Sequence, residues 1–334
     1  MTGGLLLGLG LLGLAGPMAR AQDSFLENMR KAATRVEAEE RIEYYSRAIR
    51  AWKPSHSRTL LGHCHMERGA AFFDQNDPIS AAPDLDKAIA ADPAAFKAYF
   101  VRGRLRLRQG KARLAAADLT EFISLRPEDP AGPLAKGEAL EMIGDWTGAE
   151  TAYLAASSLV PENPRPIVGL ARLKKARRRL DEALALLDRA DASAGGKDWP
   201  TLAERGRTRA LAGRTAPGLE DLDNGLALGE DALNRLQRAR AKPVELLNAQ
   251  RELGEAYFWR AAILEKQGRW GPALSDLEEA CRLGFQASCA RAKIAAAKLR
   301  QAPDEPEEPA RPRPAKKSRR SRVLQEPGER IYAN

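Results

Sequence analysis

A chain of 334 residues that is 44% hydrophobic and 30% charged can bury a sizeable core. Aromatics are only 6%, and alanine and leucine dominate, a helical composition that argues against a β-rich fold. The formal charge of +9 is spread along the chain, as on a solvated surface, so it leaves an anionic partner open without requiring one.

Residues 1–21 read as a secretory signal. Leu5 to Ala15, LLLGLGLLGLA, is an apolar run of eleven, short for a bilayer span, followed by Gly16-Pro17 and Ala19-Arg20-Ala21. The small residues around Arg20 predict cleavage after Ala21 and export to a bacterial periplasm or cell envelope. Met1 to Gly4 carries no Lys or Arg, so the amino terminus or an upstream start must supply the positive charge. No cysteine follows the run, which argues against a lipid anchor. Gly8, Gly10 and Gly13 spell G-x-G-x-x-G inside this signal, with no acid about twenty residues on, and carry no nucleotide chemistry.

The chain then becomes periodic. Tyr45 and Ala48 in RIEYYSRAIRAW fit the second helix of a degenerate first unit. Gly69, Gly103, Gly137 and Ala171 recur every 34 residues, as do Ala81, Ala115, Ala149 and Ala183, and Leu85, Leu119, Tyr153 and Leu187. Pro93, Pro127 and Pro161 end helices at the same period, with Gly195 in the fourth place, and Asn76, Gly110, Gly144 and Arg178 mark the turn inside each unit. The step is then 35 to Gly206, Gly218 and Leu222, and 55, one repeat plus 21 residues, to Ala261, Ala273 and Leu277.

The unit AYFVRGRLRLRQGKARLAAADLTEFISLRPEDP resembles the tetratricopeptide repeat, and the resemblance covers Ser55 to Arg282. It implies an all-α, right-handed α-solenoid of about seven helical hairpins over residues 22–300, each burying its apolar face against its neighbours. It also implies that first helices line a concave side where protein partners lie. Carried over by register, that side holds Lys97, Phe100, Arg104 and Arg108, then Glu138, Glu141 and Met142, then Arg165, Arg172 and Lys175, then Arg207. Such a groove is mostly basic with an acidic interruption, and suits an acidic segment of a protein partner.

Arg68, Arg102, Arg205 and Arg260 precede the small residue of the first helix, and each has an acid sixteen positions later: Asp84, Asp118, Asp221 and Asp276. The units with Lys136 or Leu170 instead have Ala152 or Leu186. This co-occurrence predicts ion pairs between the two helices of a unit and assigns these arginines to structure.

In the first full unit, LGHCHMERG gathers His63, Cys64, His65 and Met66, with His56 upstream. His65 shares its register with Tyr99, Ile167 and Tyr257, an interhelix packing position, while His63 and Met66 are expected on the inner side. His63 and His65 stand about 200° apart on a helix and cannot close on one ion as a pair. The reading is no metal and no cofactor; the alternative is a periplasmic metal-handling protein using His56, His63, Cys64 and Met66, soft ligands suited to copper. There is no G-x-S-x-G, H-E-x-x-H or P-loop, and Gly195-Gly196-Lys197 is followed by Asp198, so neither an enzyme nor a small-molecule substrate is expected.

The insertion, Asp231 to Leu253, is itself helix-like, with Pro243 placed to open a helix. In ACRLGFQASCARA, Cys281 and Cys289 are eight apart around Leu283-Gly284. The turn is similar to that of cysteine-bearing solenoids related to tetratricopeptide repeats, which implies a disulfide between the two, worth about 2.5 kcal/mol by loop closure. Two unpaired small apolar residues are the other reading. Cys64 is left over, either buried and free or able to crosslink.

Residues 301–334 hold six prolines, an acidic block and then a basic block, with little to bury before Ile331-Tyr332, and read as a disordered tail. Arg311 to Arg322 could touch an anionic envelope surface; outside the cytoplasm no nucleic acid is expected as a partner. The function expected is a noncatalytic, exported adaptor that holds protein partners on the solenoid. Metal handling by the histidine cluster, or envelope-polymer binding through the basic groove and tail, are the alternatives.

Overall fold

The computed structural model describes residues 24–301, so the expected signal sequence and all but the first residue of the expected tail lie outside the described residues. Among these residues fifteen helices follow one another without a strand. They pair as antiparallel hairpins: α1 (Ser24–Ala33) with α2 (Ala38–Ala51), α3 (Arg58–Asp74) with α4 (Pro78–Ala91), and α5 (Phe96–Arg108) with α6 (Ala112–Leu125). Next come α7 (Ala131–Met142) with α8 (Trp146–Leu159) and α9 (Pro164–Ala176) with α10 (Leu180–Ser193). Last are α11 (Trp199–Leu211) with α12 (Thr215–Arg238), α13 (Pro243–Lys266) with α14 (Trp270–Arg282), and α15 (Gln286–Gln301), which packs on α14. The architecture is the all-α solenoid expected, and its hairpin is the unit of the 34-residue period.

Local chemistry sets the hairpin. Asn76, Gly110, Gly144 and Arg178 adopt φ of 59°, 72°, 79° and 59°, the left-handed conformation that ends a helix and turns the chain back. Second helices then start on caps: the Asp77 carboxylate accepts from the backbone N–H groups of Ile79 and Ser80, both at 3.1 Å, ahead of Pro78. Asp145 does the same for Gly148 at 2.9 Å.

The small residues are small because the facing helix leaves no room. A Cβ on Gly103 would lie 3.0 Å from Leu119 Cγ. Where the third full unit carries Tyr153 in place of that leucine, its ring is fully buried and needs glycine on two helices. A Cβ on Gly137 would meet the ring at 2.5 Å, and one on Gly169 of the next unit at 2.6 Å. Gly169→Ala is therefore expected to destabilise by about 1 to 3 kcal/mol through overpacking. Adding Tyr153→Leu, which restores the residue found in the neighbouring units, should recover part of the loss in thermal denaturation; a failure to recover any would refute the steric account.

The helices form two layers. From α3 to α13 each odd-numbered helix also touches the next odd-numbered one, while the even-numbered helices make no comparable contact with each other. The first helices are thus the more closely spaced layer, on the inside of the curve.

Residues 231–253 lengthen two repeat helices into one projecting arm. Both α12 and α13 reach 24 residues, about 36 Å each, against 13 and 14 residues in α9 and α10. Pro243 opens α13, and Arg240 makes the tip turn at a φ of 50°. The arm folds back over the inner layer. Its α13 touches α3, and Lys242 Nζ lies 2.9 Å from Asp74 Oδ2 at the end of α3.

Candidate partner-binding surface

Four arginines between the layers act as three-way clamps. Arg102 donates Nε and Nη2 to Asp118 at 3.1 and 2.7 Å, and Arg205 and Arg260 grip Asp221 and Asp276 with the same two nitrogens at 2.6 to 3.0 Å. Arg68 holds Asp84 likewise, at 2.6 and 2.8 Å. The remaining Nη1 reaches back to the second helix of the preceding unit: Arg102 to Asp86 at 2.6 Å, Arg205 to Asp191 at 2.7 Å and Asp188 at 3.2 Å, and Arg260 to Asp223 at 2.7 Å. In Arg68 it donates to Ser46 at 2.9 Å. These backward contacts tie unit to unit, and the arginines are part of the framework.

His65 belongs to the same framework. Its Nδ1 lies 2.8 Å from Asp84 Oδ1, a third contact on the carboxylate made from the turn before Arg68, where Arg106 on Asp118 and Arg209 on Asp221 reach the other oxygen from the turn after the clamp arginine. His56 stacks on Phe25, with ring centroids 4.8 Å apart, and its Nδ1 accepts from the Lys53 N–H. Cys64 is buried against α1 and α2, where burial pushes its thiol up to about 12, so it remains neutral. Met66, expected on the inner side beside His63, instead packs in the core with Leu85 and Leu105, because its helix face is turned to α4 and α5. The four residues of the metal alternative are thereby dispersed into packing roles, with only His63 exposed.

The inner layer itself is a ladder of ion pairs between consecutive units. Glu67 accepts from Lys97 at 2.5 Å and Arg41 at 2.6 Å. Arg104 pairs with Glu138 at 2.7 Å, Arg172 grips Glu141 through two nitrogens at 3.0 and 2.9 Å, and Lys175 pairs with Glu204. The groove expected to be mostly basic is therefore largely neutralised. The acids Glu67 and Glu204 sit beside cations in a register position that the transfer from the family passed over, and Glu255 takes the Lys97 and Arg165 position in a later unit. Phe100, expected to offer the groove an apolar contact, is half-buried against Phe122, its ring centroid 4.9 Å away. Met142 is 56% exposed.

Burial raises the carboxyls of Glu67 and Glu141, but Lys97 and Arg172 outweigh it, and both are held below the ordinary 4.5. A lowered folded pKa means that this stabilisation is complete above 4.5 and is lost as pH falls through the folded values. Melting temperature is expected to drop between about pH 5 and 3, and the drop should be shallower in Glu141→Gln. Equal slopes in calorimetry would contradict the assignment.

At its C-terminal end the layer opens. Between α11, the start of α12 and α13 lies a cleft of about 260 Å³ with an apolar floor of Leu211, Trp259, Ala262 and Ile263, and with Arg207 and Lys266 among its walls. Leu211 is 52% exposed. The Arg207 guanidinium stacks 3.7 Å over the Trp259 ring, its Nε has no hydrogen-bond partner, and its acids Glu255 and Glu204 are only at 3.5 and 3.9 Å. Aromatic, aliphatic and loosely paired cationic groups in one concave place can receive an apolar side chain next to an anionic one. Cys281 and Cys289 are joined by a disulfide across the turn from α14 to α15.

The family model of the tetratricopeptide repeat matches residues 66–111 and 100–164. The chain is 29% identical over 98 residues to the human mitochondrial import receptor subunit TOM70, covering 29% of this chain and 16% of that protein. It is 26% identical over 238 residues to the cellulose synthase operon protein C of Xanthomonas axonopodis pv. citri (strain 306), covering 59% of this chain and 16% of that protein. The chain thus spans 16% of the length of each of these relatives. A tetratricopeptide repeat protein from Parabacteroides merdae ATCC 43184 superposes with a TM-score of 0.63 at 17% identity, covering 83% of this chain and 98% of that one. Residues 66–164 are tetratricopeptide repeats, and the same helical hairpin recurs on either side of them.

Proposed function

We propose that the protein is a noncatalytic, exported adaptor that binds a protein partner on its inner, first-helix layer. The observation that carries this reading is the cleft between α11 and α13, with Leu211 exposed and Arg207 stacked on Trp259. Solenoids of this family serve as protein-interaction scaffolds, and a half-apolar cleft on the closely spaced layer suits a polypeptide better than a small polar substrate. The cationic groups of the cleft favour a segment with acidic residues beside an apolar anchor. Export is supported by residues 1–21, and the Cys281–Cys289 disulfide suits an oxidising compartment.

The test is an affinity pulldown from the native envelope. Trp259→Ala combined with Leu211→Asp is expected to lose the partner, whereas charge reversal of the exposed Lys87 and Arg189 should change capture little. Equal capture by both sets would place binding elsewhere. Intact mass of the envelope protein should give a chain beginning at Gln22; a mass that retains residues 1–21 would count against cleavage.

A further inference from the structure

We propose that the arm is an autoinhibitory strap, latched by Lys242 on Asp74, that closes the inner layer of α5, α7 and α9 to a partner segment until the latch opens. What is gated rests on the scaffold reading; the latch itself does not. Both charges of the latch stand where their own helices disfavour them. Asp74 is the last residue of α3, at the negative end of that helix, and Lys242 immediately precedes α13, at its positive end. Neither gains from its local structure, and each gains from the other at 2.9 Å. The repeat makes the same point: where α3 has Asp74, the other full units carry Arg108, Met142, Ala176, Leu211 and Lys266. The acid stands only in the unit that the arm reaches.

The rest of the arm holds together without the far helices. Leu233, Leu246, Ala249 and Leu253 pack with Leu226 and Tyr257 in a cluster that contains no residue of α3 to α10. Among the described residues no ion pair other than Lys242–Asp74 joins residues 231–253 to those helices. Lys242 is 54% exposed, so water and salt reach the latch. Between its two ends α13 bridges the layer. It touches α3 at the tip and α11 further along, but makes no comparable contact with α5, α7 or α9, which stand between them. Burial raises the Glu252 carboxyl, opposed by Arg165 of α9 and Arg251 and aided by Glu138 of α7 and Asp198, as a crossing above these helices requires. The cleft at Leu211 and Trp259 lies toward the opposite end of α13, clear of the strap. A segment anchored there can extend along α9 and α7 only when the strap lifts.

The experiment reads the full chain with no partner present. Cys64 is buried, and Cys281 and Cys289 are paired, so an introduced cysteine is the reactive thiol. Met142→Cys places one at the register position of Asp74 two units on, where the side chain is 56% exposed. A maleimide carrying a long polyethylene glycol chain is expected to label it slowly beside N-ethylmaleimide, which is small enough to pass under the strap. Lys242→Glu turns the latch repulsive and should speed the bulky reagent about fivefold, with the small one unchanged. Adding Asp74→Lys, which rebuilds the pair with its charges exchanged, should return the bulky rate to that of the parent. A thiol on the outer side, Lys87→Cys, should react alike in every background. Matching melting curves would show that the variants fold. A bulky rate that Lys242→Glu leaves unchanged, or that Asp74→Lys fails to bring back, would overturn the strap. Failure of the scaffold reading is distinguishable: there the labelling follows the latch but the unmodified chain captures no partner from the envelope, whereas failure of the strap leaves capture intact and labelling indifferent to Lys242.

Discussion

Asp118→Ala is expected to destabilise the protein by about 3 kcal/mol, measured by urea denaturation followed by circular dichroism. The carboxylate is 3% exposed and receives Arg102 through two nitrogens and Arg106 through a third at 2.7 Å. Its removal leaves two guanidinium groups facing an apolar alanine, and breaking such a buried pair costs about 3 to 5 kcal/mol. The arginines are 16% and 22% exposed, so water relieves part of the loss and the lower end applies. Arg102→Ala should cost less, about 1 to 2 kcal/mol, because Arg106 still serves Asp118. The double-mutant cycle should show coupling, and strictly additive losses would sink the clamp. The repeat also supplies a replacement: where the fourth full unit has Leu170 and Leu186, both pack apolar surface. Arg102→Leu with Asp118→Leu copies that unit and is expected to recover more than half of the loss.

The clamp shows how far a periodic sequence can be read. The pairing of each arginine with an acid sixteen residues on was legible because the two appear and vanish together from unit to unit. The backward contact was not drawn from the sequence, although its signal is there. Asp86, Leu186+2 at Asp188, and Asp223 all stand two residues after the buried acid position, and Ser46 holds the same place relative to Tyr45 that Asp86 holds relative to Leu85. Comparison within units could not find it, because the contact joins one unit to the next.

The inner surface was less legible for two physical reasons. Arg104 and Glu138 share one register position, but other acids stand at positions different from those of their cations, so Lys97 meets Glu67 and Lys175 meets Glu204 only once adjacent helices are stacked. Transfer by register finds Lys97 and Lys175 without Glu67 and Glu204, and it names Glu138 and Glu141 without pairing them to Arg104 and Arg172. The arm is the stronger case. Its helices and the opening Pro243 follow from local sequence, but the Lys242–Asp74 contact joins residues more than 160 apart through the curvature of the solenoid. Curvature accumulates from small rotations at every interface, and no local pattern encodes the sum.

That accumulation makes the closest interface the most sensitive one. Gly206→Ala is expected to destabilise by about 2 kcal/mol, whereas Gly103→Ala at the same register position should be near neutral. The neighbours decide the difference. A Cβ on Gly103 would meet only the Leu119 and Asp118 side chains, at 3.0 to 3.5 Å, and a small rotamer shift can yield that space. Alanine also gains about 1 kcal/mol of helix propensity there, which offsets the crowding. A Cβ on Gly206 would lie 2.6 Å from the Gly218 carbonyl oxygen, and one on Gly218 would lie 2.8 Å from the Gly206 oxygen, so α11 and α12 touch backbone to backbone. A carbonyl in a helix cannot turn aside; the helices must part. Because α12 carries both Asp221 of the Arg205 clamp and one side of the arm, the separation should loosen the arm tip at Arg238 and Arg240 to trypsin before the chain unfolds. Equal stability losses in the two variants, or an arm tip as resistant as in the parent protein, would contradict a backbone contact at this joint.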